Sequence, residues 1–233
     1  MPGALIQAHV QGHGLAEGHA VGFFEELVGA DAQVGEDQVN AAGRGRGDAR
    51  SGQDFIEKWA FVPTRFLANP AADFPTIFTS MFMHGGWLHL LSNMLYLWIF
   101  GDNVEDRFGH VKFIIFYLAC GVAAMFAQLA FSTTSSVPNL GASGAIAGVL
   151  GVYLVMFPKQ RVSVMMGRGV IPMSALIVIG LWFVLQVVSG VGSLGASSES
   201  GGVAYMAHIG GFVAGLALAF LLGGSRRAPA LPA

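Results

Sequence analysis

Gly141-Ala142-Ser143-Gly144-Ala145-Ile146-Ala147-Gly148 sets a single hydroxyl among small residues, at the mouth of an apolar run that continues to Phe157. A membrane helix keeps a polar group only where that group has a partner or a task. Small neighbours leave the hydroxyl uncovered and let a second helix come close. Two readings of Ser143 are open at this point: a packing residue at a helix crossing, or an accessible nucleophile.

The composition around this stretch favours a membrane setting. Of the 233 residues 54% are apolar and 11% charged, with a mean hydropathy of +0.60. A soluble domain carries about 25% charge, so a polytopic membrane protein is the natural class. The net charge of −2 gives no electrostatic footprint for nucleic acid. Cys120 is the single cysteine, so no intrachain disulfide can form.

Five long apolar runs are present: Phe74–Phe100, Val111–Phe131, Leu140–Phe157, Val170–Gly190 and Val203–Gly223. Each approaches the roughly 20 residues that a crossing needs, and helices satisfy backbone groups in lipid most simply. No strand alternation stands out. The expected fold is therefore all-α, a polytopic membrane bundle of five transmembrane helices spanning 58–223. Lys and Arg fall between runs one and two, between three and four, and after run five; the other two connections have neither. The positive-inside rule then puts the short tail 224–233 in the cytoplasm. Residues 58–73 mix Trp59, Phe61 and Phe66 with Lys58 and Arg65, as an interfacial segment does. Residues 1–57 hold nine of the fourteen acidic residues and many glycines, and read as polar and disordered.

This topology places His84, His89, Asn93, Ser143 and His208 in one outer layer of the bundle. Gly211 and Gly215 follow His208 on one helix face, and Gly144, Gly148 and Gly151 mark run three in the same way. Two such faces predict close packing of runs three and five, which brings the His208 ring within reach of Ser143. A neutral imidazole there could take the hydroxyl proton during attack and return it to a leaving amine. His89 and Asn93, four residues apart, share a helix face. They could form a polar clasp between helices or donate to a developing oxyanion. His84 and His89 sit about 140° apart on a continuous helix, a poor arrangement for joint ligation, so no metal is expected. No Asp or Glu lies at this depth, so any serine chemistry would use a Ser–His dyad.

These residues resemble a known family. His84-x4-His89-x3-Asn93, Glu105-x-Arg107-x-Gly109, Gly141-Ala142-Ser143-Gly144 and Ala207-His208-Ile209-x-Gly211 are similar, in order and spacing, to the rhomboid intramembrane serine proteases. The resemblance runs from about Trp59 to Gly223. It implies Ser143 as nucleophile and His208 as general base, with His89, Asn93 and the Ser143 amide as oxyanion hole. His84, Gly141, Gly144 and Gly211 would support the site, and Glu105 and Arg107 a structural motif on the cytoplasmic side. Substrates would be transmembrane proteins cut near the outer face of the lipid bilayer, with no cofactor. The setting would be a bacterial inner (plasma) membrane. Oligomeric state is not implied.

Three departures accompany the match. The family usually has six core helices, and 1–57 stands where the first would lie. Ala147 replaces an aromatic that in some members stacks on the catalytic histidine, so packing alone is expected to hold His208. Pro75-Thr76 replaces a Trp-Arg pair. A competing function is a catalytically impaired relative that binds membrane segments for quality control. A transporter is a third, and would show midplane ionisable groups or repeats, which are missing. The loop Val191–Gly202 is Gly/Ser-rich, as a lid or a plain connection would be.

Overall fold

The computed structural model describes residues 16–20, 46–166, 169–193 and 203–223. Its main elements are strand β1 (Ala16–Ala20), helix α1 (Arg46–Trp59), α2 (Trp87–Tyr96), α3 (Asp102–Phe108), α4 (His110–Phe131) and α5 (Ser143–Met156). They are followed by β2 (Arg161–Met166), β3 (Gly169–Ser174), α6 (Ala175–Ser193) and α7 (Tyr205–Gly223). Helix dominates, as expected, but the all-α reading needs correcting. β2 and β3 form an antiparallel hairpin, and β1 pairs parallel with β2 to complete a three-stranded sheet.

The hairpin was hidden by composition. Val170 and Ile171 are apolar and adjoin run four, and a short apolar run looks alike in strand and helix. Pro172 decides between them. It cannot donate a backbone bond and disrupts a helix interior, so α6 starts only at Ala175. β3 is an edge strand, where proline is tolerated.

Run one is also not a single helix. Pro75 opens a short helical turn at Thr76–Thr79, a 3-10 turn follows at Ser80–Phe82, and the chain then loops through His84-Gly85-Gly86. Only at Trp87 does α2 begin. It continues through a π-helical turn at Leu97–Gly101 into α3. Gly109, with φ +78°, ends α3 and lets the chain reverse into α4. The Glu105-x-Arg107-x-Gly109 motif is thus a helix stop, with the Gly109 amide donating to the Glu105 carbonyl at 2.7 Å and Glu105 meeting His110 at 2.6 Å.

Of the segment 1–57 read as polar and disordered, residues 1–15 and 21–45 lie outside the described residues. β1 and α1 lie inside the segment read as disordered, and α1 runs through the boundary at 57 to reach Trp59. Within 58–73, Phe61 is fully buried and Phe66 nearly so, against Ile77, Met81, Met125 and Leu129. Phe61 exchanges two backbone bonds with Asn139, and the Thr64 amide donates to the Ser135 carbonyl. Arg65 ties this corner together through Asp73 and the carbonyls of Glu57 and Ala60. The tail 224–233 lies outside the described residues.

Among the described residues, two helices, α4 and α6, are long and apolar enough to cross a membrane. Outward-facing Val111, Ile114 and Ile115 on α4, and Leu181, Val184 and Val188 on α6, are all more than half exposed. α5 has 14 residues, about 21 Å at 1.5 Å per residue. It is the central post of the bundle: every residue from Gly144 to Tyr153 is buried. Around it pack Phe100, Phe116, Ile179 and Phe212. Lipid tails are as apolar as leucine, so such a bundle coheres by close fit and polar clasps rather than by expelling water.

The tightest fit is between α5 and α7. A Cβ added at Gly211 would overlap the Gly144 carbonyl oxygen, and one at Gly215 the Gly148 carbonyl oxygen. The close approach read from the two glycine faces is therefore present, backbone against backbone.

Candidate active site

Ser143 is the first residue of α5, so its N–H is among those that the helix cannot satisfy. The loop before it is fixed from both sides. The Gly141 amide donates to the Ser80 carbonyl at 2.9 Å, and the Phe61–Asn139 pair holds the strand-like approach. Gly141 takes φ +121°, in the left-handed half of the map where a side chain is strained.

α7 delivers His208 to the same point. Its Nε2 lies 2.7 Å from the Ser143 Oγ. The ring is 6% exposed, while Ser143 is half-buried. The Ala207 amide, in the first turn of α7, donates to the Gln128 Oε1 at 3.1 Å. Gln128 thus caps a neighbouring helix from α4 and holds the backbone next to His208 in place.

Packing alone does not hold the imidazole, contrary to the expectation drawn from Ala147. Gln186 Oε1 lies 2.7 Å from His208 Nδ1, and the Trp182 ring faces the imidazole at 5.9 Å. Both side chains come from α6. Sequence reasoning missed Gln186. The signal was one amide in an otherwise apolar run, four residues beyond Trp182.

His89 comes from the first turn of α2. Its Nδ1 accepts from the Gly85 amide at 3.3 Å, so the proton of the neutral ring sits on Nε2. That edge faces Gly141: a Cβ there would lie 2.9 Å from both Cε1 and Nε2 of His89, and 3.7 Å from Ser143 Oγ. The missing side chain leaves a gap bordered by the imidazole N–H and the hydroxyl. Asn93 is buried one turn further on, with its Nδ2 donating to the His89 carbonyl at 3.0 Å. One amide hydrogen remains for another acceptor.

His84 is not on the same helix as His89, as the sequence reading assumed, but in the loop before it. Its ring meets His89 edge to face at 5.1 Å. Its Nε2 is buried without a hydrogen-bond partner among the described residues. Gly144 and Gly211 meet at the helix crossing beside the Ser–His pair.

A sequence model of the rhomboid domain matches residues 71–225, more than half of the chain. The chain belongs to the rhomboid family. It is 27% identical over 166 residues to Rhomboid protein 1, mitochondrial, of Saccharomyces cerevisiae, covering 70% of this chain and 44% of that protein. It is 34% identical over 144 residues to Rhomboid protease GluP of Bacillus subtilis, covering 61% and 25%. It is 31% identical over 111 residues to Presenilin-associated rhomboid-like protein A, mitochondrial, of Danio rerio, covering 46% and 29%. The chain thus spans less than half the length of each of these relatives. Two of the three are mitochondrial by name, which counts against the expected bacterial inner membrane. The rhomboid family is one of integral membrane proteins and includes proteases.

Proposed function

We propose that this protein is a rhomboid-type intramembrane serine endopeptidase that cuts transmembrane helices near one face of the bilayer. The observation that carries this reading is the 2.7 Å contact between His208 Nε2 and Ser143 Oγ. Among the described residues His208 is bonded on its two nitrogens by Gln186 and Ser143 and by no carboxylate, so the scheme is a dyad without an acid member.

Chemistry on this scheme needs no cofactor. Ser143 Oγ attacks the scissile carbonyl while His208 Nε2 takes its proton. The oxyanion forms in the gap over Gly141, where the Ser143 amide and the His89 Nε2–H can donate and the spare hydrogen of Asn93 adds to them. His208 then protonates the leaving amine, and water deprotonated by the same nitrogen hydrolyses the acyl-enzyme. The helix start at Ser143 also favours negative charge at that spot. Five or six crossings, counting α2–α3, α4, α5, α6 and α7 with any amino-terminal helix, would enclose the site.

The test is cleavage of a reporter membrane helix by the purified protein in lipid vesicles, with the cut mapped by mass spectrometry. The expected result is one cut close to one membrane face. Stable capture of the reporter without any cut would favour the competing reading, a membrane-segment binder.

A further inference from the structure

Resting on the protease reading, we propose that Gln186 is a positioning residue that holds His208 in the one tautomer able to act as base. A neutral imidazole has one donor nitrogen and one acceptor nitrogen. To take a proton from Ser143, Nε2 must present its lone pair, so the ring proton must sit on Nδ1. Nothing in the Ser143–Nε2 contact enforces this, because a hydroxyl donates or accepts equally well.

The Gln186 contact, with the amide oxygen turned to the ring as observed, selects it. A carbonyl oxygen only accepts, and the Gln186 Oε1 lies 2.7 Å from Nδ1. Gln186 is 4% exposed and His208 6%, so water has little access to compete for either nitrogen. The Nδ1 proton therefore points at the amide and the Nε2 lone pair at the hydroxyl. The imidazole is fixed in plane by two bonds on opposite edges.

A neutral amide also suits the site better than an acid would. A carboxylate in this apolar layer would have to be stripped of water at considerable expense. The amide dipole orients the ring without that penalty, and its bond strengthens when Nε2 becomes protonated. It hangs from α6, whose inner stripe of Ile179, Trp182, Gln186 and Gly190 is the buried part of an otherwise exposed helix. Gln186 is thus the polar tie between α6 and the catalytic ring.

The experiment compares Gln186→Met with Gln186→Glu. Met keeps the unbranched volume and removes the acceptor; Glu keeps an acceptor. In vesicles with the reporter helix, Gln186→Met should lower kcat roughly tenfold with KM unchanged, the rate equivalent of one lost hydrogen bond. Gln186→Glu keeps an acceptor oxygen at the desolvation cost named above, so it should recover part of that loss in kcat while lowering the melting temperature. In parallel, nitrogen NMR of histidine-labelled Ser143→Ala protein should show His208 protonated on Nδ1. The Gln186→Met change in that background should mix the two tautomers. The NMR arm needs no turnover, so it judges Gln186 even if the wild type fails to cleave and the protease reading falls. A wild-type rate in Gln186→Met, equal losses in Met and Glu, or a ring proton on Nε2 would each overturn the assignment.

Discussion

Ser143→Ala and His208→Ala are each expected to lower reporter cleavage by at least about 10³-fold, because nucleophile and base act as a unit. The double variant should be little worse than either single one, since removing one partner leaves the other nothing to do. Both variants should fold. Ser143 is half-buried, and Ala keeps its place at the start of α5. His208→Ala removes a ring wedged between Trp182 and Gln186, so its melting temperature should fall while the oligomer profile and membrane insertion persist. Cleavage by Ser143→Ala protein at an appreciable rate would remove the dyad from the account.

Gly211→Val should abolish activity by a different route. The α5–α7 crossing has no room for a Cβ at position 211, which would overlap the Gly144 carbonyl oxygen. Backbone cannot swing aside as a flexible side chain can, so the helices must separate. Overpacking of this kind costs about 1–3 kcal/mol. It also lengthens the 2.7 Å contact between His208 and Ser143, since each residue stands beside the crossing. Thermal unfolding in detergent should show the stability loss, and the reporter assay the loss of cleavage. Gly180 supplies the control. It lies within α6 with open space where a Cβ would be, so Gly180→Ala should be neutral or stabilising by roughly 0.5–1 kcal/mol. If the two glycine variants behaved alike, the crossing would not be the determinant.

The approach of His208 to Ser143 was more legible in the sequence than the division of the chain into elements. Ser143 and His208 stood out because polar groups are rare in apolar runs, and the flanking glycines announced a backbone crossing that does occur. His89 could be paired with Asn93 from spacing alone, but which nitrogen of its ring carries the proton could not be read. That depends on the Gly85 amide, supplied by a loop the sequence presented as helix. Gln186 was passed over because a lone amide in a lipid-facing run looks like noise until the partner across the bundle is known. Its partner lies 22 residues away on α7.

The errors in the fold have one source. Hydrophobicity marks which segments are apolar but not how each is divided. Phe74–Phe100 contains Pro75 and the Gly85-Gly86 pair, and these break it into turns and a helix. Val170–Gly190 begins as an edge strand because of Pro172. Leu140–Phe157 is apolar enough to face lipid, yet it is the buried post of the bundle. Burial in protein and burial in lipid select the same residues, and only the glycines hinted at the difference.

Whether His208 activates Ser143 is decided by covalent labelling. Wild-type protein in vesicles is treated with a fluorophosphonate probe, digested, and the modified peptide sequenced by mass spectrometry. Modification should fall on Ser143 alone and be strongly reduced in His208→Ala. Labelling spread over other serines, or labelling of Ser143 at an unchanged rate without His208, would contradict the account.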